Sequence, residues 1–157
     1  MKLIITCILS CVLLMRCKKD EMVPQQQDFH LVLEKINSLR RSGCTCGTDY
    51  MPPVAPLSLN VQLENAAMDH AKDMDLRNYF DHVSPEGTNP EERAIRAGYN
   101  GIIKGENLGK GYLHSDEVIN AWKNSISHCK AMMDANSHEA GVGFSRNYWA
   151  ISFGTSL

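Results

Sequence analysis

Tyr79-Phe80-Asp81-His82-Val83-Ser84-Pro85-Glu86-Gly87 is the stretch around which the rest of the chain is organised. Two aromatics lead into an acid and a histidine, a hydroxyl follows, and a Pro/Gly turn closes the segment. Two later segments also carry reactive groups: Gly105-Glu106-Asn107-Leu108-Gly109 and Ser125-Ile126-Ser127-His128-Cys129. Brought to one cleft, the three segments would offer two imidazoles and a carboxylate.

Outward from this stretch, the hydrophobic period defines the elements. Upstream, Asn60 is placed to cap a helix running to about Asn78, with Leu63, Ala66, Ala67, His70, Ala71 and Met74 as its buried stripe. His70 therefore falls on an apolar face, where one hydrogen bond would satisfy it. An earlier helix starts at Asp28 as its cap, buries Leu31, Val32, Ile36 and Leu39, carries Arg40-Arg41 towards its negative end and stops at Gly43. Cys44 to Pro56, rich in Gly, Thr and Pro, reads as a loop. Downstream, Asn89 caps a short helix beginning at Pro90, and Gly98 ends it. Tyr99 to Lys104 reads as extended, and the glycines at 105 and 109 allow a tight turn or close approach. Ser115 starts a helix with Val118, Ile119, Trp122 and Ile126 inward. Ala140–Phe144 and Tyr148–Phe153 read as strands joined at Arg146-Asn147. Helices first, then a helix mixed with strands, makes the class α+β, with helices flanking a small antiparallel sheet.

The chain has 157 residues, 43% hydrophobic and 22% charged, which suits one compact domain after a leader. A formal net charge of -2 gives no electrostatic footprint for nucleic acid. Leu3 to Met15 is almost wholly apolar, too short for an ordinary membrane span, and fits the core of a signal peptide over residues 1–16. Cys17 follows directly, as the lipidated cysteine does in a bacterial lipobox, although Arg16 stands where a small residue is usual. An ordinary cleaved signal is the alternative, and both readings export the chain. Residues 17–27 are polar and read as a tether, so the domain is 28–157.

Export allows disulfides to persist. The domain keeps Cys44, Cys46 and Cys129. Bridging Cys44 to Cys46 across one residue strains disulfide geometry, so one of the two is expected to pair with Cys129. A zinc site built from Cys44, Cys46, His128 and Cys129 is the other reading, at a spacing that is not a zinc ribbon.

Five segments in register resemble the CAP superfamily of cysteine-rich secretory proteins, insect venom antigens and plant pathogenesis-related proteins, and within it the bacterial SCP-domain branch. They are the opening stretch, Ala94-Ile95-Arg96-Ala97-Gly98-Tyr99, Gly105-Glu106-Asn107-Leu108, Ala121-Trp122-Lys123-Asn124-Ser125 with His128, and Glu139-Ala140-Gly141-Val142-Gly143. The resemblance implies an α–β–α sandwich with a central antiparallel sheet, and a cleft where two histidines and two acids gather and sometimes hold a divalent metal. His82, Glu106 and His128 match three of those four groups. Ser125 stands where many eukaryotic members carry the second glutamate, and Ala131 where bacterial members often carry Asn. The resemblance also implies a Cys46–Cys129 disulfide, with Cys44 free.

His82, Glu106 and His128 would make a three-ligand zinc site with an open position. Alternatively Glu106 hydrogen-bonds an imidazole, fixing its tautomer and raising its pKa, or the three groups only stitch loops together. Ser84, Ser125 and Ser127 neighbour the histidines, but no G-x-S-x-G elbow is present. The function expected is a non-enzymatic, lipid-anchored envelope module, monomeric, that requires no cofactor and binds a lipid, glycan-associated or protein ligand. A metal-dependent hydrolase acting on envelope or extracellular material is the alternative.

Overall fold

The computed structural model describes residues 26–157; the leader, Cys17 and the tether as far as residue 25 lie outside them. Helix α1 (Gln26–Ser42) starts before Asp28, so that residue lies within the helix instead of capping it. Its Val32 and Ile36 are fully buried. Arg40, read as a helix-end charge that suits the dipole, is wholly buried. Its guanidinium donates to the carbonyls of Ala55 (2.7 Å), Met132 (2.8 Å), Asp134 (3.0 Å) and Ser137 (2.9 Å). A buried cation with this many acceptors is a clamp between distant loops, not a surface charge.

The loop expected from Cys44 to Pro56 contains a small hairpin of β1 (Cys44–Cys46) and β2 (Asp49–Met51). Next come β3 (Ser58–Leu59) and α2 (Val61–Arg77). The Asn60 side chain accepts from the backbone N–H groups of Gln62 (3.0 Å) and Leu63 (3.1 Å). The buried residues of α2 are Leu63, Ala66, Ala67, His70, Ala71 and Met74, the stripe its period predicts. In α3 (Pro90–Arg96), Asn89 and Glu92 cap each other's backbone amides.

The Gly105–Gly109 segment does not turn. It lies inside one long strand, β4 (Gly101–Lys110), whose register against β6 shifts between Ile103 and Gly105. Two helices follow, α4 (Ser115–Asn124) and α5 (Ile126–Met132). Ser115 is already inside α4. The cap is His114, and Glu117 accepts from the N–H groups of Leu113 (2.9 Å) and His114 (3.2 Å). The chain is extended at Ser125, so Ile126 belongs to a new helix and is 56% exposed instead of inward. Strands β5 (Glu139–Ser145) and β6 (Tyr148–Ser156) meet at a turn where Arg146 has φ +52°.

The main sheet runs β3-β5-β6-β4, antiparallel except for the short parallel pair β3–β5. On one face lie α2 and α3. On the other lie α1, α4 and α5, and here Val32, Ile36, Trp122, Val142, Trp149 and Phe153 form the centre of the larger core. Two helical layers around one sheet give the α–β–α sandwich. Among the described residues no helix is long and apolar enough to cross a membrane.

Candidate functional site

The site grows from two neighbouring residues of β4, the outer strand on its side of the sheet. Successive side chains on a strand point to opposite faces. Glu106 faces the α2–α3 layer and Asn107 the opposite one, and each holds one histidine. The Glu106 carboxylate accepts from His82 Nδ1 (2.8 Å) through one oxygen and from Arg93 Nη2 (2.8 Å) through the other. Asn107 Nδ2 donates to the His128 carbonyl (3.1 Å) and so fixes the first turn of α5.

The His82 loop is tied down at several further points. His70, 1% exposed, donates from Nε2 to the Asp81 carbonyl (3.0 Å). That is the satisfied core histidine its place on α2 suggests, and burial pushes its pKa below the ordinary value. Tyr79 donates to Asp73 (2.5 Å); burial and that carboxylate push its phenol up to about 12. Arg77 pairs with both Asp73 and Glu86. Arg93 also donates to the carbonyls of His82 (3.0 Å) and Thr88 (3.0 Å), so one guanidinium joins α3, the loop and β4.

Over the edge of β4, Phe80, Asp81, His82, Leu108 and His128 line a pocket of about 220 Å³. Both imidazoles reach it. Glu106 does not; its side chain is 2% exposed, behind a half-exposed His82. The Glu106 hydrogen bond raises the His82 pKa above its ordinary value. Burial, then the neighbouring charge of His82, lowers that of His128. The two rings are thus pushed in opposite directions.

In the neutral ring, Nδ1–H of His82 donates to the carboxylate and Nε2 is the nitrogen able to ligate, the usual arrangement of an acid behind a metal-bound histidine. The donor set therefore offers two imidazoles, His82 and His128, with Glu106 orienting the first; the ligand atoms of the three do not all lie within 4.8 Å of one another. It does not fit three direct ligands. Both Glu106 oxygens are already engaged, one of them by a guanidinium.

The serines do not form a triad. Ser84 accepts from the Thr88 N–H (3.2 Å) and shapes the loop, while Ser125 and Ser127 face each other at 3.4 Å. Cys46 and Cys129 are joined by a disulfide, with Cα atoms 5.5 Å apart, which removes Cys129 as a nucleophile. Cys44 is a free thiol beside them, and burial raises its pKa. Sequence reasoning missed Arg93 and Asn107. Asn107 had a signal, since the residue after Glu106 on a strand must address the other face. Arg93 had none, because its reach from α3 to β4 is purely tertiary.

A sandwich whose outer strand presents a Glu-linked histidine opposite a second histidine defines an SCP-type domain. The model of the CAP, cysteine-rich secretory protein family matches residues 33–151, and the chain belongs to that family. YkwD of Bacillus subtilis is 35% identical over 100 residues, covering 62% of this chain and 39% of YkwD. The membrane protein YlbC of the same organism is 29% identical over 100 residues, 64% of this chain and 29% of YlbC. The chain thus spans well under half the length of these two relatives. An extracellular SCP-domain protein of Bacillus anthracis superposes with TM-score 0.72 at 23% identity, covering 82% of this chain and 40% of that one. An outer surface protein of Borrelia burgdorferi gives 0.71 at 21% identity, covering 84% and 95%.

Proposed function

We propose that this CAP domain is an exported, non-enzymatic binding module of the cell envelope, anchored through lipid on Cys17. Its His82–His128 pocket takes a divalent cation such as zinc. The observation that carries the reading is the double engagement of Glu106, by His82 Nδ1 and by Arg93. That carboxylate orients an imidazole and is not a free general base. Pocket size agrees: about 220 Å³ lies below the roughly 300–1,000 Å³ of ordinary small-molecule sites. It suits an ion and the atom of a partner that completes its coordination. Export is supported by the leader and by the neighbours described as extracellular or outer-surface proteins.

Zinc titration by calorimetry into chelator-treated full-length protein tests the site. One zinc per chain is expected, lost in His82→Ala and in His128→Ala. Glu106→Gln, which leaves both imidazoles in place, weakens binding by about 10–100-fold. Hydrolysis of ester or envelope-glycan substrates that needs both zinc and His82 would overturn the non-enzymatic reading in favour of a metal-dependent hydrolase. Mass spectrometry of the membrane fraction tests the anchor, with Cys17→Ser releasing the protein.

A further inference from the structure

A second set of metal-ligating atoms lies under the β1–β2 hairpin, where Cys129 directly follows His128 of the histidine pocket. Sγ of Cys44 is 3.8 Å from Sγ of Cys129 and 4.0 Å from Sγ of Cys46. All three sulfurs lie within 4.8 Å of one another, and among the described residues no imidazole or carboxylate joins them at that range. The nest around them is apolar and rich in soft sulfur. Met133 is buried in it, and Met51 packs against it with Leu39 and Val54.

The position of Cys44 distinguishes two uses of its thiol. Attack on a disulfide proceeds along the S–S axis, where the entering sulfur is far closer to one partner than to the other. Cys44 is nearly equidistant from both and stands abreast of the bond, so exchange in place is not prepared. Abreast is instead the third corner of a trigonal site. With metal–sulfur bonds of about 2.3 Å, three sulfurs around one ion lie about 4 Å apart. Two edges of that triangle already measure 3.8 and 4.0 Å. The third forms when the Cys46–Cys129 bond is reduced and the sulfurs move apart over an unchanged backbone.

We infer that reduction of the Cys46–Cys129 disulfide turns Cys44, Cys46 and Cys129 into a three-thiolate site for a soft d¹⁰ cation, specifically Cu(I). Two molecules of a small thiol, leaving as their own disulfide, or one phosphine with water, leaving as its oxide, supply two electrons and two protons to the S–S bond to give two thiols, and metal binding then releases the thiol protons. Thiolates without oxygen or nitrogen ligands select Cu(I) over harder ions. Oxidised, the site is closed. Reduced, it is a copper trap that uses neither imidazole of the histidine pocket.

The test uses the full chain in detergent with Cys7→Ser, Cys11→Ser and Cys17→Ser, so that only the three domain cysteines remain. It is reduced with a phosphine, freed of reductant and titrated with Cu(I) against a chromogenic chelator. One Cu(I) per chain is expected in the reduced protein, with copper–thiolate absorption in the near ultraviolet, and none in the oxidised protein. Adding Cys44→Ser, which leaves the disulfide and fold intact, should weaken binding by about a hundredfold, as expected for losing one ligand of three. His82→Ala should change nothing, which separates this site from the zinc pocket. Equal copper binding by the oxidised form, or full affinity in the Cys44→Ser variant, would overturn the inference. So would loss of the near-ultraviolet dichroism on reduction alone, because the site requires the folded hairpin.

Discussion

The two faces of the sheet are packed by different means. On the α1–α4–α5 face, large side chains interlock. Trp122 is buried with its indole N–H on the Leu108 carbonyl (2.8 Å), and Phe144 lies tilted against Trp149 with ring centroids 4.3 Å apart. On the α2 face the sheet meets a helix backbone. A Cβ on Gly141 or Gly143 would collide with the main chain of Glu64, or with that of Ala67 and Met68. The α2 residues packed on this surface include Ala67 and Ala71, against Leu108, Tyr148 and Ala150. Close backbone packing leaves α2 little freedom to shift, and α2 carries His70, which holds the His82 loop. One face supplies most of the apolar burial; the other supplies placement.

The largest effect is expected where that contrast is sharpest. Gly143→Leu puts a side chain into helix backbone, which has no rotamer to give, and should lower stability by more than about 4 kcal/mol or prevent folding. Urea unfolding would measure it. A mild outcome would mean that α2 can ride away from the sheet. Trp122→Ala tests the other face and should cost about 3–5 kcal/mol through lost burial and a cavity. Its sharper reading is the site. Trp122 also holds the Leu108 carbonyl of β4, two residues from Glu106, so an unchanged His82 titration would show that α2 and Arg93 suffice to place the loop.

A smaller effect concerns pH. His70 is held neutral by burial, so its folded pKa lies below the ordinary 6.5. The sign follows: its contribution to stability is present above pH 6.5 and is lost as pH falls from there through the depressed folded value. His70→Gln should flatten that decline. It should also cost about 1–3 kcal/mol, since the Asp81 carbonyl loses its donor.

Legibility in the sequence followed the same division. The stripe on α2, the Asn60 and Asn89 caps and the β5–β6 hairpin are local patterns, and each appears at its expected position. What the sequence concealed depends on distant partners. Arg40 looked like a helix-end charge because its four acceptors lie 15 to 97 residues away. Gly105 and Gly109 looked like turn residues because glycine permits turns, yet the pairing with β6 holds them extended. The histidines and Glu106 were visible as types at a spacing. That Glu106 would sit behind His82, answered by Arg93, depended on two faces of one strand meeting two helical layers.

The finest test of that arrangement is the opposite titration of the two imidazoles. In chelator-treated protein, NMR titration should place His82 above 6.5 and His128 below it, from the Glu106 hydrogen bond and from burial respectively. Because its folded pKa is raised, the His82–Glu106 pair adds stability that is complete below pH 6.5 and lost as pH rises through the folded value, opposite in sign to His70. Glu106→Gln keeps the shape of the contact and removes its charge. The His82 titration should fall back towards its ordinary value, as when a charge-assisted hydrogen bond becomes neutral. His128 should stay low, because burial is the first cause of its shift and that burial is unchanged. If instead both rings moved together, His128 would owe its shift to the charge on His82. The two histidines would then titrate as one coupled pair.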